Sequence, residues 1–203
     1  MQEPMSEREL HDRLTLIESM ISEGRRSTES LGWVFVLWGV AYLVAMAWSA
    51  WGRSNLAWPV TMVVTLLLMW VLNRWPRRQS RLESHAGTTA GRAVSAVWIG
   101  MGISMFTLLL SLGFSGRFDW HLFVAIVGSM LGTANAASSI ILKWKVQFGC
   151  AVVWWAAAAV ACFGSDAQSL AGFLIAIVLC QVVFGVYCMV GERGRRQQGA
   201  VHA

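Results

Sequence analysis

Residues 31–51 read LGWVFVLWGVAYLVAMAWSAW, a stretch without one charged side chain. The hydrocarbon core of a bilayer is about 30 Å thick and a helix rises about 1.5 Å per residue, so about 20 apolar residues cross it. Five further runs of this character follow, at 56–72, 93–114, 120–142, 146–164 and 170–190. Between Leu31 and Val190 the acidic residues are Glu83, Asp119 and Asp166, and each falls in a gap between runs. A backbone in lipid has to satisfy its own hydrogen bonds, and none of the runs alternates as a barrel strand does, so each predicts a helix. Pro59 near the start of the second run and Pro76 just beyond it punctuate the helix, and no proline interrupts a run.

The expected fold class is all-α: a polytopic membrane bundle of six transmembrane helices in three hairpins over residues 31–190. An amphipathic cytoplasmic helix occupies residues 1–30, and a basic, disordered cytoplasmic tail occupies 191–203. A chain that is 56% hydrophobic and 13% charged fits that layout better than a water-soluble domain. The net charge of +5 does not point to nucleic acid, because the basic residues sit beside the apolar runs and not on one continuous face. The first thirty residues are polar and mix acids and bases, and no small-residue cleavage site follows the first apolar run, so that run is expected to stay as an anchor.

Orientation follows from where the basic residues lie. Arg8, Arg13, Arg25 and Arg26 precede the first span, and Arg74, Arg77, Arg78, Arg81 and Arg92 lie between the second and third. Lys143 and Lys145 separate the fourth and fifth, and Arg193, Arg195 and Arg196 follow the sixth. Only Arg53 and Arg117 fall on the other side. The positive-inside rule then puts both termini in the cytoplasm, and Trp48, Trp51, Trp58 and Trp120 mark the outer ends as Trp75 and Trp144 mark the inner ones. The deeper Trp38, Trp98, Trp154 and Trp155 read as packing or lipid contact, with ligand stacking as the minority reading.

Each hairpin's first span carries tryptophan beside a small residue, at Trp38-Gly39, Trp98-Ile99-Gly100 and Trp155-Ala156. A repeated hairpin is one reading of that pattern, and coincidence in a tryptophan-rich chain is the other. The segment LTLIESMISEGRRSTES, leading directly into a first span that contains LWG, resembles a set of uncharacterised bacterial six-helix inner-membrane proteins, chiefly over residues 10–45. The three-hairpin layout resembles, in architecture alone, the HdeD-like acid-resistance group, from which the long polar preamble departs. Neither resemblance implies a catalytic motif.

In the fourth span His121, Ala125, Gly128, Gly132, Asn135 and Ser139 alternate at spacings of four and three, which puts all six on one helical face. Small residues let helix backbones approach closely in a membrane, where no water drives helices together. The third span has a stripe of the same kind, Gly100, Ser104, Thr107 and Ser111, and the two are expected to face each other. The sixth adds Gln181, Gly185 and Cys188. These positions form either a packing seam, within a hairpin or between protomers, or a polar path for a small neutral solute lined by Ser104, Thr107, Asn135 and Ser139.

Ser6 with Glu9 forms a capping-box pattern, after which Leu10, Leu14, Ile17 and Ile21 run at heptad-like spacing and lead through Gly24 and Thr28 into the first span. This seam has four possible covers: the protein itself, another copy, a lipid surface or a cytoplasmic partner. Arg74, Arg77, Arg78 and Arg81, around one interfacial Trp75, are expected to contact anionic lipid, at about 1 kcal/mol per charge.

The sequence predicts no catalytic residue, no metal and no cofactor. His11, His85, His121 and His202 are dispersed singly, and there is no H-E-x-x-H, serine elbow or phosphate loop. Cys150, Cys162, Cys180 and Cys188 form no CxxC pair and read as small hydrophobes. The expected role is a non-enzymatic membrane accessory, scaffold or sensory protein whose partners are lipids and a second copy or membrane protein. The alternative is a channel or facilitator.

Overall fold

The computed structural model describes residues 7–52, 56–73, 89–115 and 119–201. Every element among them is helical. In chain order they are α1 (Glu7–Ser30), α2 (Gly32–Gly52), α3 (Ala57–Asn73), α4 (Thr89–Ser115), α5 (Trp120–Leu142), α6 (Lys145–Phe163) and α7 (Asp166–Ile177). A π-helical turn (Val178–Val183) then carries α7 into α8 (Phe184–Val201).

Local chemistry sets the boundaries. Asp119 caps α5 by accepting from the Leu122 N–H at 2.9 Å. Ser165 and Gln168 form a reciprocal capping box at the start of α7, a signature legible in the sequence as S-D-A-Q. Lys143 ends α5 in the left-handed region at φ 48°, where its N–H reaches the Ile140 carbonyl and that of Trp144 the Ser139 carbonyl. That geometry satisfies carbonyls a helix end leaves free, and it usually falls to glycine.

Five of the helical stretches are long and apolar enough to cross a bilayer: Gly32–Gly52, Thr89–Leu112, Trp120–Leu142, Lys145–Phe163 and Asp166–Gly194. The apolar helix over Ala57–Leu72 is shorter. Large apolar side chains face outward along them, including Val44, Val64, Leu67, Ile103, Ile140, Ile175 and Val183. A contiguous apolar exterior of this kind suits lipid and not water, so the chain is a multi-pass membrane protein.

Of these five stretches α5 is the most buried. At one end, Tyr42, Trp58, Trp120, Phe123, Trp154 and Phe173 form a continuous aromatic cluster with centroids 4.8–6.5 Å apart. Trp58, expected as an interfacial anchor, is buried there instead. At the other end α1 packs against α4, α5 and α8. The tail expected to be disordered is helical to Val201, because GERGRRQQGAV lacks proline and is rich in good helix formers that extend α8 without a break.

Candidate functional site

The α5 stripe is buried, but against α6. A Cβ at Gly128 would lie 3.0 Å from the Trp154 carbonyl oxygen and 3.1 Å from the Ala158 Cβ, and one at Gly132 would run into the Trp155 indole. The receiving face is the alanine-rich stretch of α6, with Ala151, Ala157, Ala158 and Ala161 all buried. Asn135 and Ser139 are buried in the same seam and bond their own helix, Asn135 Nδ2 donating to the Leu131 carbonyl at 2.8 Å and Ser139 Oγ to that of Ala136 at 2.7 Å.

The stripe on α4 does not meet it. Gly100, Ser104, Thr107 and Ser111 are all exposed, and no atom lies within 4 Å of a Cβ placed at Gly100. The expected face-to-face pairing is overturned because α4 packs inward with its large residues. Val94, Met105 and Leu109 are buried, with Trp98, Met101 and Leu112 packed beside them. At 3.6 residues per turn that face lies roughly 130° around the helix from the stripe. The join to α5 is polar at one point, where Trp98 Nε1 donates to Ser138 Oγ at 3.0 Å. Ser104 and Thr107 therefore do not converge with Asn135 and Ser139.

The sixth-span positions form a second seam, with α2. Gly32 and Gly185 face each other so closely that a Cβ on either would stand 2.7 Å from the other's carbonyl oxygen. A Cβ at Gly39 would come within 2.9 Å of the Gln181 Cβ, in the π-helical turn. A π turn spends an extra residue and re-aims the side chains beyond it. Gln181, Gly185 and Cys188 are all buried as a result. Gly32 and Gly39, seven residues apart on one face of α2, are the partners that sequence reasoning missed.

The three tryptophans of the suspected repeat have different neighbours. Gly39 beside Trp38 is buried, whereas Gly100 and Ala156, beside Trp98 and Trp155, are exposed.

At the α1 end the seam divides. Leu14 is 52% exposed and Leu16 61%, while Ile21 is half-buried. The side chains of Leu10 and Ile17, Ser6 of the expected cap, and Arg74, Arg77, Arg78 and Arg81 lie outside the described residues. Further along, Gly24 abuts the Leu142 side chain and Ala90, and Thr28 and Glu29 are buried. Arg25 Nε donates to Glu29 Oε1 at 3.3 Å, and its guanidinium sits 4.9 Å from the centroid of the Trp144 ring. Trp144 in turn packs on Phe184 of α8 at 5.2 Å. This joint fastens the second half of α1 to the ends of α5, α6 and α8 and leaves the first half projecting. Glu29, buried at the edge of the first span, is the acidic residue the sequence concealed, because it precedes the apolar run.

The interior also holds polar atoms that are buried with no hydrogen-bond partner among the described residues: Asn135 Oδ1, both amide atoms of Gln147, Ser169 Oγ, and the indole nitrogens of Trp144 and Trp154. Gln147, the one amide side chain in α6, could have been singled out from the sequence on that ground. Among the described residues no three His, Cys, Asp or Glu side chains are arranged to hold a metal. No family model, curated protein or solved structure matches this chain.

Proposed function

We propose that this chain is a non-enzymatic scaffold or sensory accessory of the bacterial cytoplasmic membrane that pairs with a second copy through the outward face of α4. One observation carries the reading. Of the small-residue stripes among the described residues, those on α2, α5 and α8 are consumed in internal contacts, whereas Gly100, Ser104, Thr107 and Ser111 are exposed and a Cβ at Gly100 meets nothing within 4 Å. Small and hydroxyl side chains gain little from lipid tails, whereas a second helix offers close backbone approach and hydrogen bonds.

The topology that accompanies this role has six spans. At 17 residues α3 is about 25 Å long, which crosses a bilayer with modest local thinning. The packing of α1 on α8 supports an even number of crossings, since it brings both ends of the chain to one side. That side carries the fourteen basic residues that the positive-inside rule assigns to the cytoplasm. Arg74, Arg77, Arg78 and Arg81 then meet anionic headgroups, and the projecting half of α1, with Leu14 exposed, lies where a cytoplasmic signal reaches it.

The test uses the full chain in detergent micelles and in lipid nanodiscs. Light scattering and disulfide trapping at position 104 are expected to report a dimer, and Gly100→Leu with Ser104→Leu is expected to return a monomer of unchanged helical content. A protein that is monomeric at high concentration in both media, and gives no trapped dimer, overturns the proposal.

A second reading, a path for a small neutral solute, is favoured by the unpartnered Asn135, Gln147 and Ser169 atoms, which water would satisfy. Cysteines at 135 and 139 that react with water-soluble reagent would favour it, and inert ones would reject it.

A further inference from the structure

His121 stands in the first turn of α5 with both ring nitrogens engaged. Nδ1 lies 2.7 Å from the Ala161 carbonyl oxygen in the last turn of α6, and Nε2 lies 2.6 Å from Asp166 Oδ1 at the first residue of α7. Neither partner has a proton to offer, because an amide carbonyl and an ionised carboxylate only accept. A neutral imidazole carries one N–H, so it satisfies one partner and turns a lone pair against the lone pairs of the other. The imidazolium donates to both.

The surroundings add further acceptors and negative charge. Ala161 lies among the last carbonyls of α6, which have no partner within their own helix and form the negative end of its dipole. Asp119, which caps α5 through Leu122, brings a second carboxylate close to the ring. Among the described residues, α6 adds only the Cys162 thiol at this end, α7 adds only Asp166, and α3, whose Trp58 packs on Trp120, carries no charged side chain.

We propose that His121 is a proton-operated latch: when doubly protonated it ties the start of α5 to both the end of α6 and the start of α7, and on losing a proton it holds one of the two and releases the other. The stability that belongs to the protonated ring is present on the acid side and is lost as pH rises through the ring's own titration. Residues 161 and 166 are 40 and 45 positions from His121 in sequence, so the latch joins separate hairpins, and one of its ties reaches the helix whose π turn packs on α2. On the topology proposed above this end faces away from the cytoplasm, and the latch responds to the pH of that compartment. The latch itself does not depend on that assignment.

The decisive measurement is the nitrogen spectrum of the histidine rings in the full-length protein, labelled with nitrogen-15 and held in micelles, across about pH 5 to 8. At the acid end both His121 nitrogens are expected to be protonated and hydrogen-bonded. Past the titration a single tautomer remains, and only one of Asp166 and the Ala161 carbonyl still accepts from the ring. In parallel, the melting temperature of the wild type is expected to fall as pH rises over this range, while His121→Gln stays flat. A ring that is a neutral single tautomer throughout overturns the latch, as does a wild-type melting profile that the variant reproduces.

Discussion

The stripes on α4 and α5 are both built from small and polar residues at alternating spacings of four and three, and they end in opposite surroundings. Gly128 and Gly132 are closed over by Trp154, Trp155 and Ala158, whereas a Cβ at Gly100 meets nothing within 4 Å. A stripe of small residues thus marks a face suited to close approach and does not say what approaches it. Chain connection decides much of that. The α5 helix ends at Leu142 and α6 begins at Lys145, so the turn folds α6 directly back along α5 and commits that face to it. The α4 helix instead docks through its bulky side, where Met105, Leu109 and Trp98 gain more packing than glycine and serine offer.

The contrast is broken most severely at the glycines that touch backbone. Gly185→Leu places a side chain where the Gly32 carbonyl oxygen stands 2.7 Å from the Cβ position, and a helix backbone cannot step aside as a side-chain tip can. We expect α2 and α8 to separate and the protein to lose its folded, detergent-soluble form on size exclusion. Gly132→Ala, blocked by the Trp155 ring, is expected to cost about 1–3 kcal/mol by overpacking. Gly100→Ala has no such obstacle and is expected to be neutral or to stabilise the monomer by up to about 1 kcal/mol through helix propensity. Equal losses at Gly100 and Gly132 would refute the distinction. Gly132→Leu accordingly tests the α5–α6 hairpin, and Gly100→Leu is the variant that tests self-association.

A smaller effect is expected where α4 does touch α5. Trp98→Phe retains most of the ring and removes the donor to Ser138, a bond of about 0.5–1.5 kcal/mol. Trp98→Phe and Ser138→Ala together are expected to cost less than the sum of the two single changes, since each single change leaves one group unpartnered. Strict additivity in that cycle would deny the contact.

The membrane character was legible at 31–51 alone, because a charge-free run of that apolar length suits little besides a bilayer, and the runs at 120–142 and 146–164 match α5 and α6 to within a residue. The face of α5 was legible too, from the four-three spacing. Its partner was not, since helical periodicity fixes which residues share a face and carries no information about the element that covers it. Gly32, and the seam role of Gly39, escaped notice because seven-residue spacing in an otherwise bulky span gives a faint signal, and Glu29 because an acidic residue before a span reads as solvated. The His121 latch was hidden for a related reason. Nothing in the sequence brings residues 121, 161 and 166 together until three helix ends are packed.

The smallest expected effect sharpens the comparison at its cause, the turn that gives α5 to α6. Lys143 holds φ 48°, the one positive φ at a non-glycine residue among those described. A residue with a Cβ pays about 1 kcal/mol or more for that conformation, and glycine does not. Glycine also leaves the unfolded chain freer, which offsets part of the gain. Lys143→Gly is therefore expected to raise the melting temperature by about 1–3 °C, given the conversion of about 2–4 °C per kcal/mol in a chain of this length. Lys143→Val, which adds branching at the strained position, is expected to lower it. Lys143→Asn separates conformation from charge: it removes the same cation as glycine and tolerates the left-handed region better than lysine, so it is expected to fall between wild type and Lys143→Gly. If asparagine and glycine both destabilise as valine does, the lysine is held there for its charge, and the turn does not control which helix α5 receives.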